Sequence, residues 1–277
     1  MNGIVIIDKP ADWTSQDVVS KLRGVLHERR IGHGGTLDPM ATGVLPVFVG
    51  RGTRAVEFFE HAEKTYEAVL HLGISTDTED ITGNVLETRD VQISEADFLG
   101  ILEQFRGEIQ QIPPMYSALK INGQKLCDLA RKGKEVERKP RTITIFRLEC
   151  LEFDGTFARL LVNCSKGTYI RTLCKDIGQA LGCGGCMESL RRVSAGAYSI
   201  EEAVPLQTLV DAADPERYLR PVDSMFTAYE ALTLSPKQEK CARNGAAFSI
   251  AIPDGTYRTY SQAGEFLTLS KVLKDST

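Results

Sequence analysis

The chain has 277 residues, 42% of them hydrophobic and 25% charged, with 24 Gly and 11 Pro. These proportions exclude collagen-like and wholly disordered chains, and they fit one large domain, or one of about 200 residues with a small appendage. The net charge of −4 argues against a nucleic-acid binder only on average, because nine Lys/Arg against three Asp/Glu between Tyr116 and Arg147 make that segment +6 and leave −10 on the rest.

In chain order, Gly3 to Ile7 is a short apolar run that predicts a buried strand. It is too short for the apolar core of a signal peptide, and no run of about 18 apolar residues predicts a membrane span. Thr14, with Asp17 three residues on, opens a helix whose stripe is Val18, Leu22, Val25 and Leu26. The segment from Ile31 to Gly43 is glycine-rich and too irregular for helix or strand. Val44 to Val49 predicts a second buried strand. Tyr66, Ala68, Leu70 and Leu72 alternate with Glu67, Val69 and His71, the period of a strand. Thr76 to Asn84 is a polar, acidic loop. Ser94 caps a helix with Asp97 at N3 and a face of Phe98, Ile101, Leu102 and Phe105. Ile112-Pro113-Pro114 stops regular structure.

The basic segment follows, with a short helix near Lys125 to Arg131. Thr142 to Phe153 and Phe157 to Ser165 form a hairpin across Asp154-Gly155. Leu173, Cys174, Ile177 and Leu181 mark an amphipathic helix from Ile170. Past about Tyr229, a helix over Pro236 to Asn244 precedes three short strands, Phe248 to Ile252, Thr256 to Tyr260 and Glu265 to Leu269. The whole predicts an α+β fold around a mixed sheet.

Seven scattered cysteines do not read as a disulfide framework, so a reducing, cytoplasmic setting is expected. Cys183 and Cys186 form a lone CxxC in a loop, too little for a zinc site without a second ligand pair. No P-loop or dinucleotide fingerprint is present. The segment Gly32-His33-Gly34-Gly35-Thr36-Leu37-Asp38-Pro39-Met40-Ala41-Thr42-Gly43 puts one carboxylate in a loop whose glycines admit close backbone approach. Two readings stay open there: a catalytic carboxylate, or a tight turn closed by an Asx bond. Arg171 stands in the first turn of its helix, where a cation opposes the macrodipole. It calls for an anionic partner, a phosphate or a carboxylate.

The segment 32–43 resembles the catalytic motif of the TruB family, the tRNA pseudouridine-55 synthases. Other segments resemble the family's motifs in the same order: Asp8-Lys9-Pro10 with Thr14-Ser15; Lys64-Thr65-Tyr66; Ile112 to Lys120 with Gly123 and Ala130 to Gly133; Cys164 to Arg171; and Leu190-Arg191-Arg192. The likeness runs from residue 3 to about 225. Asp12 stands where the family usually has Gly, Gly34 where Thr is frequent, and Cys127 where an aromatic is usual.

The resemblance implies the pseudouridine synthase fold: a mixed, largely antiparallel central sheet flanked by helices. It implies a catalytic domain over 1–228, with a basic RNA-gripping insertion at about 108–141, and a small β-rich, PUA-like appendage over 229–277. It implies isomerisation of uridine 55 in the T loop of tRNA, through N1–C1′ cleavage and rejoining at C5, with no cofactor or metal. By the same likeness Asp38 is the essential carboxylate and Arg171 its partner. Tyr66 stacks on the flipped uracil, and its hydroxyl assists proton removal from C5. Tyr169 and Leu190 are pocket walls, His33 holds the T loop open, and Lys9 supports the catalytic loop. Lys120, Lys125, Arg131 and Lys132 meet the RNA backbone. The partner is the T arm of tRNA, with no membrane and no protein partner implied. Two alternatives remain: a tRNA-binding or tRNA-folding protein in which catalysis is secondary, and an unrelated hydrolase. The hydrolase would need a second carboxylate, for which Asp80 and Asp77 are the nearest loop candidates.

Overall fold

The computed structural model describes residues 1–121 and 123–273. Its elements begin with β1 (Gly3–Lys9), α1 (Ser15–Val25), β2 (Ile31–His33), β3 (Thr42–Val49), α2 (Val56–Phe59), β4 (Lys64–Leu72), β5 (Ile74–Thr76) and β6 (Val85–Thr88). There follow α3 (Glu95–Leu102), β7 (Gly107–Gln111), β8 (Lys120–Ile121), β9 (Gln124–Lys125), α4 (Leu126–Ala130), β10 (Arg141–Phe153), β11 (Phe157–Cys164), α5 (Ile170–Ala180) and β12 (Gly185–Ala195). The chain continues through β13 (Tyr198–Ser199), β14 (Val204–Pro205), α6 (Leu206–Val210), β15 (Glu230–Thr233), α7 (Pro236–Arg243), β16 (Gly255–Tyr260) and β17 (Phe266–Val272).

One sheet of ten strands runs β14-β1-β3-β12-β4-β11-β10-β7, with β2 beside β3 and β13 beside β12. It is antiparallel except where β1 meets β14 and β3 meets β12. Strand β1 is apolar throughout because both its faces are covered. Val5 and Ile7 join the larger core, while Ile4 and Ile6 join a second cluster with Phe48, Phe59, Tyr198 and Phe226. Helix α1 carries the expected capping box of Thr14 and Asp17. It buries Val18, Leu22 and Leu26 in the larger core, about 1.5–3 kcal/mol for each side chain. Strand β4 buries Tyr66, Ala68, Leu70 and Leu72 on one face, as its alternation dictates.

The structure corrects the sequence reading at several points. Ile31–His33, expected to be irregular, is a strand paired with Phe48, Val47 and Val49 of β3. Gly185–Ala195 was assigned no element, yet β12 is the central strand joining the two halves of the sheet. Its period is masked by two bulges against β4 and by the charges Glu188, Arg191 and Arg192. Cys186 therefore lies in a strand rather than a loop. Both thiols of the CxxC are buried, and Cys183 Sγ lies 3.4 Å from Gly184 O. Near the C-terminus, Phe248 to Ile252 is not a strand. The small three-stranded sheet is β15-β16-β17, and β15 lies parallel to β16. A parallel pair needs a crossover, so α7 and the 248–252 stretch serve as that connection. Tyr260 Oη donates to Asp223 Oδ2 at 2.6 Å and ties this sheet to the main body. Among the described residues no helix is long and apolar enough to cross a membrane.

Candidate active site

The glycine-rich segment leaves β2 and returns as β3, and buried Leu37 and Ala41 peg it to the core. Ser15 Oγ accepts from Leu37 N at 2.9 Å and donates to Leu37 O at 3.2 Å. Lys9 is fully buried, and its ammonium donates to Trp13 O (2.5 Å), Pro10 O (2.8 Å) and Pro39 O (3.1 Å). Asp12, in the left-handed region at φ 64°, donates its N–H to Pro39 O at 2.9 Å. That is the backbone state for which glycine is the ordinary choice. At the exit, Gly43 has φ 101°, and a Cβ there would stand 2.2 Å from Arg192 O, so only glycine fits. The loop is thus fixed by its backbone, and the Asp38 side chain is free to point elsewhere.

Gly34 is a matter of space. A Cβ there would lie 2.6 Å from Phe59 Cδ1 and 3.0 Å from Phe48 Cε2, so the room of a larger side chain is taken by Phe59. The departure from Thr is matched by its neighbours. Gly34→Thr is expected to cost about 1–3 kcal/mol by overpacking. The measurement is Tm, and Phe59→Leu in the same chain should recover part of the loss.

The Asp38 carboxylate takes hydrogen bonds from Arg171 alone among the described residues. Arg171 Nε stands 2.9 Å from Oδ2 and Nη2 3.3 Å from Oδ1. The Asx turn left open by the sequence is not formed. Arg171 is 5% exposed, so its off-stripe position in α5 points inward, not to solvent. Its remaining donors meet Thr78 O at 3.0 Å and Tyr116 O at 2.8 Å, and Nη1 lies 3.7 Å from Asp80 Oδ2. A buried guanidinium is tolerable when all its edges are answered in this way.

Asp80 was missed as part of this group. The loop from Thr76 to Asn84 reads as polar and acidic, and within it Glu79 and Asp80 are buried. Asp80 Oδ1 accepts from Thr78 Oγ1 (2.9 Å), Thr82 N (3.0 Å) and Thr82 Oγ1 (2.5 Å). Glu79 accepts from Thr172 Oγ1 at 2.6 Å and Lys175 Nζ at 2.7 Å, both on α5. Asp80 is 5% exposed, with Oδ1 taken by three donors and Oδ2 turned toward Arg171, so it is enclosed behind that guanidinium rather than open to a substrate. Asp77 caps Asn84 N at 2.8 Å and takes no part. The hydrolase alternative therefore lacks its second free carboxylate. Gln111 was also missed. Its side chain donates to Tyr169 O (3.0 Å) and accepts from Tyr169 N (2.8 Å), which sets the start of α5. The only signal for either residue in the sequence was nearness to a motif.

Asp38 is part-buried, its side chain 36% exposed; that partial desolvation pushes it above its ordinary carboxyl pKa, Arg171 opposes the shift and Asp80 adds to it. Lys9 is brought down to about 8, chiefly by burial. Burial also raises the phenols of Tyr66 and Tyr169, and the Asp38 carboxylate adds a small push to both. Tyr66, Tyr169, Lys9 and Arg171 therefore all sit within the field of Asp38. Leu190 shares a sheet face with Tyr66, since Leu190 opposes Ala68 and Arg192 opposes Tyr66 across β12 and β4. His33 is half-buried; burial lowers its pKa, and its Nδ1 is enclosed without a partner. Lys120, Arg131 and Lys132 are exposed on the β8–β9–α4 insertion, where Asp128 meets Arg131 loosely at 3.7 Å. The side chain of Lys125 lies outside the described residues.

A family model described as the TruB family pseudouridylate synthase N-terminal domain matches residues 23–170, and one described as the tRNA pseudouridylate synthase B C-terminal domain matches 171–227. The chain is 43% identical to tRNA pseudouridine synthase B of Clostridium kluyveri, over 96% of this chain and 94% of that one. It is 44% identical to the protein of the same name from Pseudomonas fluorescens, over 99% and 93%. Among solved structures it is similar to one titled a Cbf5-Nop10-Gar1 complex, with TM-score 0.74 and 27% identity over 98% of this chain and 78% of that one. Another, an H/ACA RNP bound to a substrate RNA containing 2′-deoxyuridine, matches with TM-score 0.73 and 26% identity, over 99% and 79%.

Proposed function

Because the chain belongs to the TruB family of pseudouridylate synthases, we propose that it acts on the T arm of tRNA and converts uridine 55 to pseudouridine. It is an isomerase that forms pseudouridine in tRNA. The observation that carries the mechanism is the Asp38–Arg171 pair, the one carboxylate–guanidinium contact made by the glycine-rich loop among the described residues. The target base leaves its stack to reach it, as for other enzymes that act on bases. Asp38, ionised, drives cleavage of N1–C1′. The uracil turns, C5 joins C1′, the C5 proton leaves and N1 gains one. Bonds and protons balance with no oxidant. Tyr66 packs on the base and receives the C5 proton. Tyr169 and Leu190 wall the pocket, and Lys9 holds the loop through its carbonyls. His33, with an enclosed unpartnered nitrogen, meets the opened T loop. Residues 229–277, which include the three-stranded sheet, form a second domain in this reading.

The test is pseudouridine-specific chemical mapping of tRNA incubated with the purified protein. A single new pseudouridine at position 55 is expected. Modification at another site, or none, overturns the assignment.

A pH dependence follows. The folded protein holds the Asp38 proton more tightly than an unfolded carboxyl of pKa 3.8 would. Turnover should therefore fall as pH drops through a value above 3.8. For stability the sign is opposite: ionising Asp38 over that interval costs folding free energy. A pH–rate profile under single turnover checks the limb; one at or below the ordinary carboxyl value contradicts the burial.

In this reading the basic insertion grips phosphates. Replacing Lys125, Arg131 and Lys132 with Ala should weaken tRNA binding and flatten the log affinity–log salt slope by roughly 0.7–0.9 per lost contact. Turnover at saturation should change little. Binding titrations at several salt concentrations read this, and an unchanged slope refutes the grip.

A further inference from the structure

Arg192 is among the largest fully buried side chains of the protein, 1% exposed, and among the described residues no carboxylate pairs with it. A guanidinium held in that way is expensive, and a Met or Leu would fill the space at less cost. Its position suggests why it is there. Nε donates to Val44 O at 2.6 Å and Nη2 to Gly35 O at 3.2 Å, so it spans the two ends of the loop that carries Asp38. Gly35 lies against it: a Cβ there would meet Nη1 in ordinary contact at 3.5 Å, so it is the φ of 96° that calls for glycine. On the other side Arg192 stands directly opposite Tyr66 in the β12–β4 register, on the same face of the sheet.

We propose that Arg192 is a positioning residue whose cation, fixed between the catalytic loop and Tyr66, favours the Tyr66 phenolate that accepts the C5 proton. This rests on the reading of Tyr66 given above. Once C5 is bonded to C1′, the phenolate takes the C5 hydrogen as a proton. The C–H electron pair returns to the ring, N1 is protonated, and the resulting phenol later loses its proton to solvent. A neutral phenol cannot do this, and a buried one resists ionisation. Burial does raise Tyr66, and the nearby Arg192 guanidinium is the largest influence opposing it. The same charge also lowers His33, after burial, so its field reaches across the pocket.

The test uses tRNA tritiated at C5 of the target uridine, and tRNA with 5-fluorouridine in its place, under single turnover. Fluorouridine has no C5 proton to lose, so its consumption reports only the earlier steps. Arg192→Gln is expected to slow tritium release at neutral pH by at least about tenfold and to move the alkaline-rising limb of the pH–rate profile upward, tenfold corresponding to one pKa unit. Fluorouridine consumption should be slowed far less. Arg192→Lys retains a cation and should keep the limb in place even if both rates fall. Equal slowing of both substrates by Arg192→Gln would mean that Arg192 only braces the loop, and would overturn the proposal. A limb displaced upward by about one unit from wild type in Arg192→Lys would also overturn it, and this arm stands even if the Gln variant does not fold. Tyr66→Phe separates the two levels. If it releases tritium at the wild-type rate, the reading of Tyr66 as the base fails. If it blocks release while Arg192→Gln leaves the limb unmoved, only the role of Arg192 fails.

Discussion

Asp38→Asn is expected to slow pseudouridine formation by at least ~1000-fold, about 4 kcal/mol in the barrier. Tm should be unchanged or higher. The reasons are independent. Asn keeps the shape and, through its one carbonyl oxygen, one of the two bonds from Arg171, but no longer supplies the anion that each route to N1–C1′ cleavage requires. Stability behaves differently because burial makes ionisation of Asp38 unfavourable in the fold. The loop is held by Ser15, Lys9 and Arg192 rather than by the Asp38 side chain. Affinity for tRNA should stay close to wild type, since the grip is assigned to the insertion. Single-turnover rates, a binding titration and a thermal melt decide it. Activity within tenfold of wild type would sink the assignment. So would loss of activity that merely follows loss of fold or binding.

Arg171→Lys should have the second largest effect. The guanidinium meets Asp38 through Nε and Nη2, Tyr116 O through Nη2 as well, and Thr78 O and Asp80 through Nη1. A lysine ammonium has three donors on a flexible stem and cannot span them. Turnover is expected to fall by about a hundredfold or more, roughly 3 kcal/mol. The buried Asp80 would lose its cation, so a loss of stability approaching the 3–5 kcal/mol typical of a broken buried pair is also expected, about half that if the lysine still reaches Asp80. The two readouts distinguish the alternatives. Full activity with unchanged Tm would mean that Arg171 is a peripheral contact. Lost Tm with full activity would assign it to structure alone.

Elements were legible where one residue type or one period decides them. The capping box at Thr14, the alternation from Tyr66 to Leu72 and the hairpin at Asp154-Gly155 each report a local backbone choice. Strand β12 was not legible, because bulges and paired charges break its period. Asp8 bonds Arg191 at 2.8 Å, and the backbone of β3 receives Arg192. Those partners are more than a hundred residues away in the chain. The acidic loop was legible as a loop, but not the burial of its carboxylates: α5 brings Arg171, Thr172 and Lys175 to it from far along the chain.

Asp38 stands out within the sequence alone, since a carboxylate before proline in a glycine-rich loop reflects a local constraint on the backbone. Arg171 stands out too, because a cation at a helix start needs an anion. The family likeness pairs the two; that Asp80 stands behind them, that Gln111 sets the helix start and that Arg192 bridges Gly35 O and Val44 O opposite Tyr66 was decided only by the tertiary structure. Local propensity reflects each residue's own turn of chain. A buried charge is tolerated or not according to which groups the packed sheet and helices place within about 3–4 Å of it, and that depends on the whole fold.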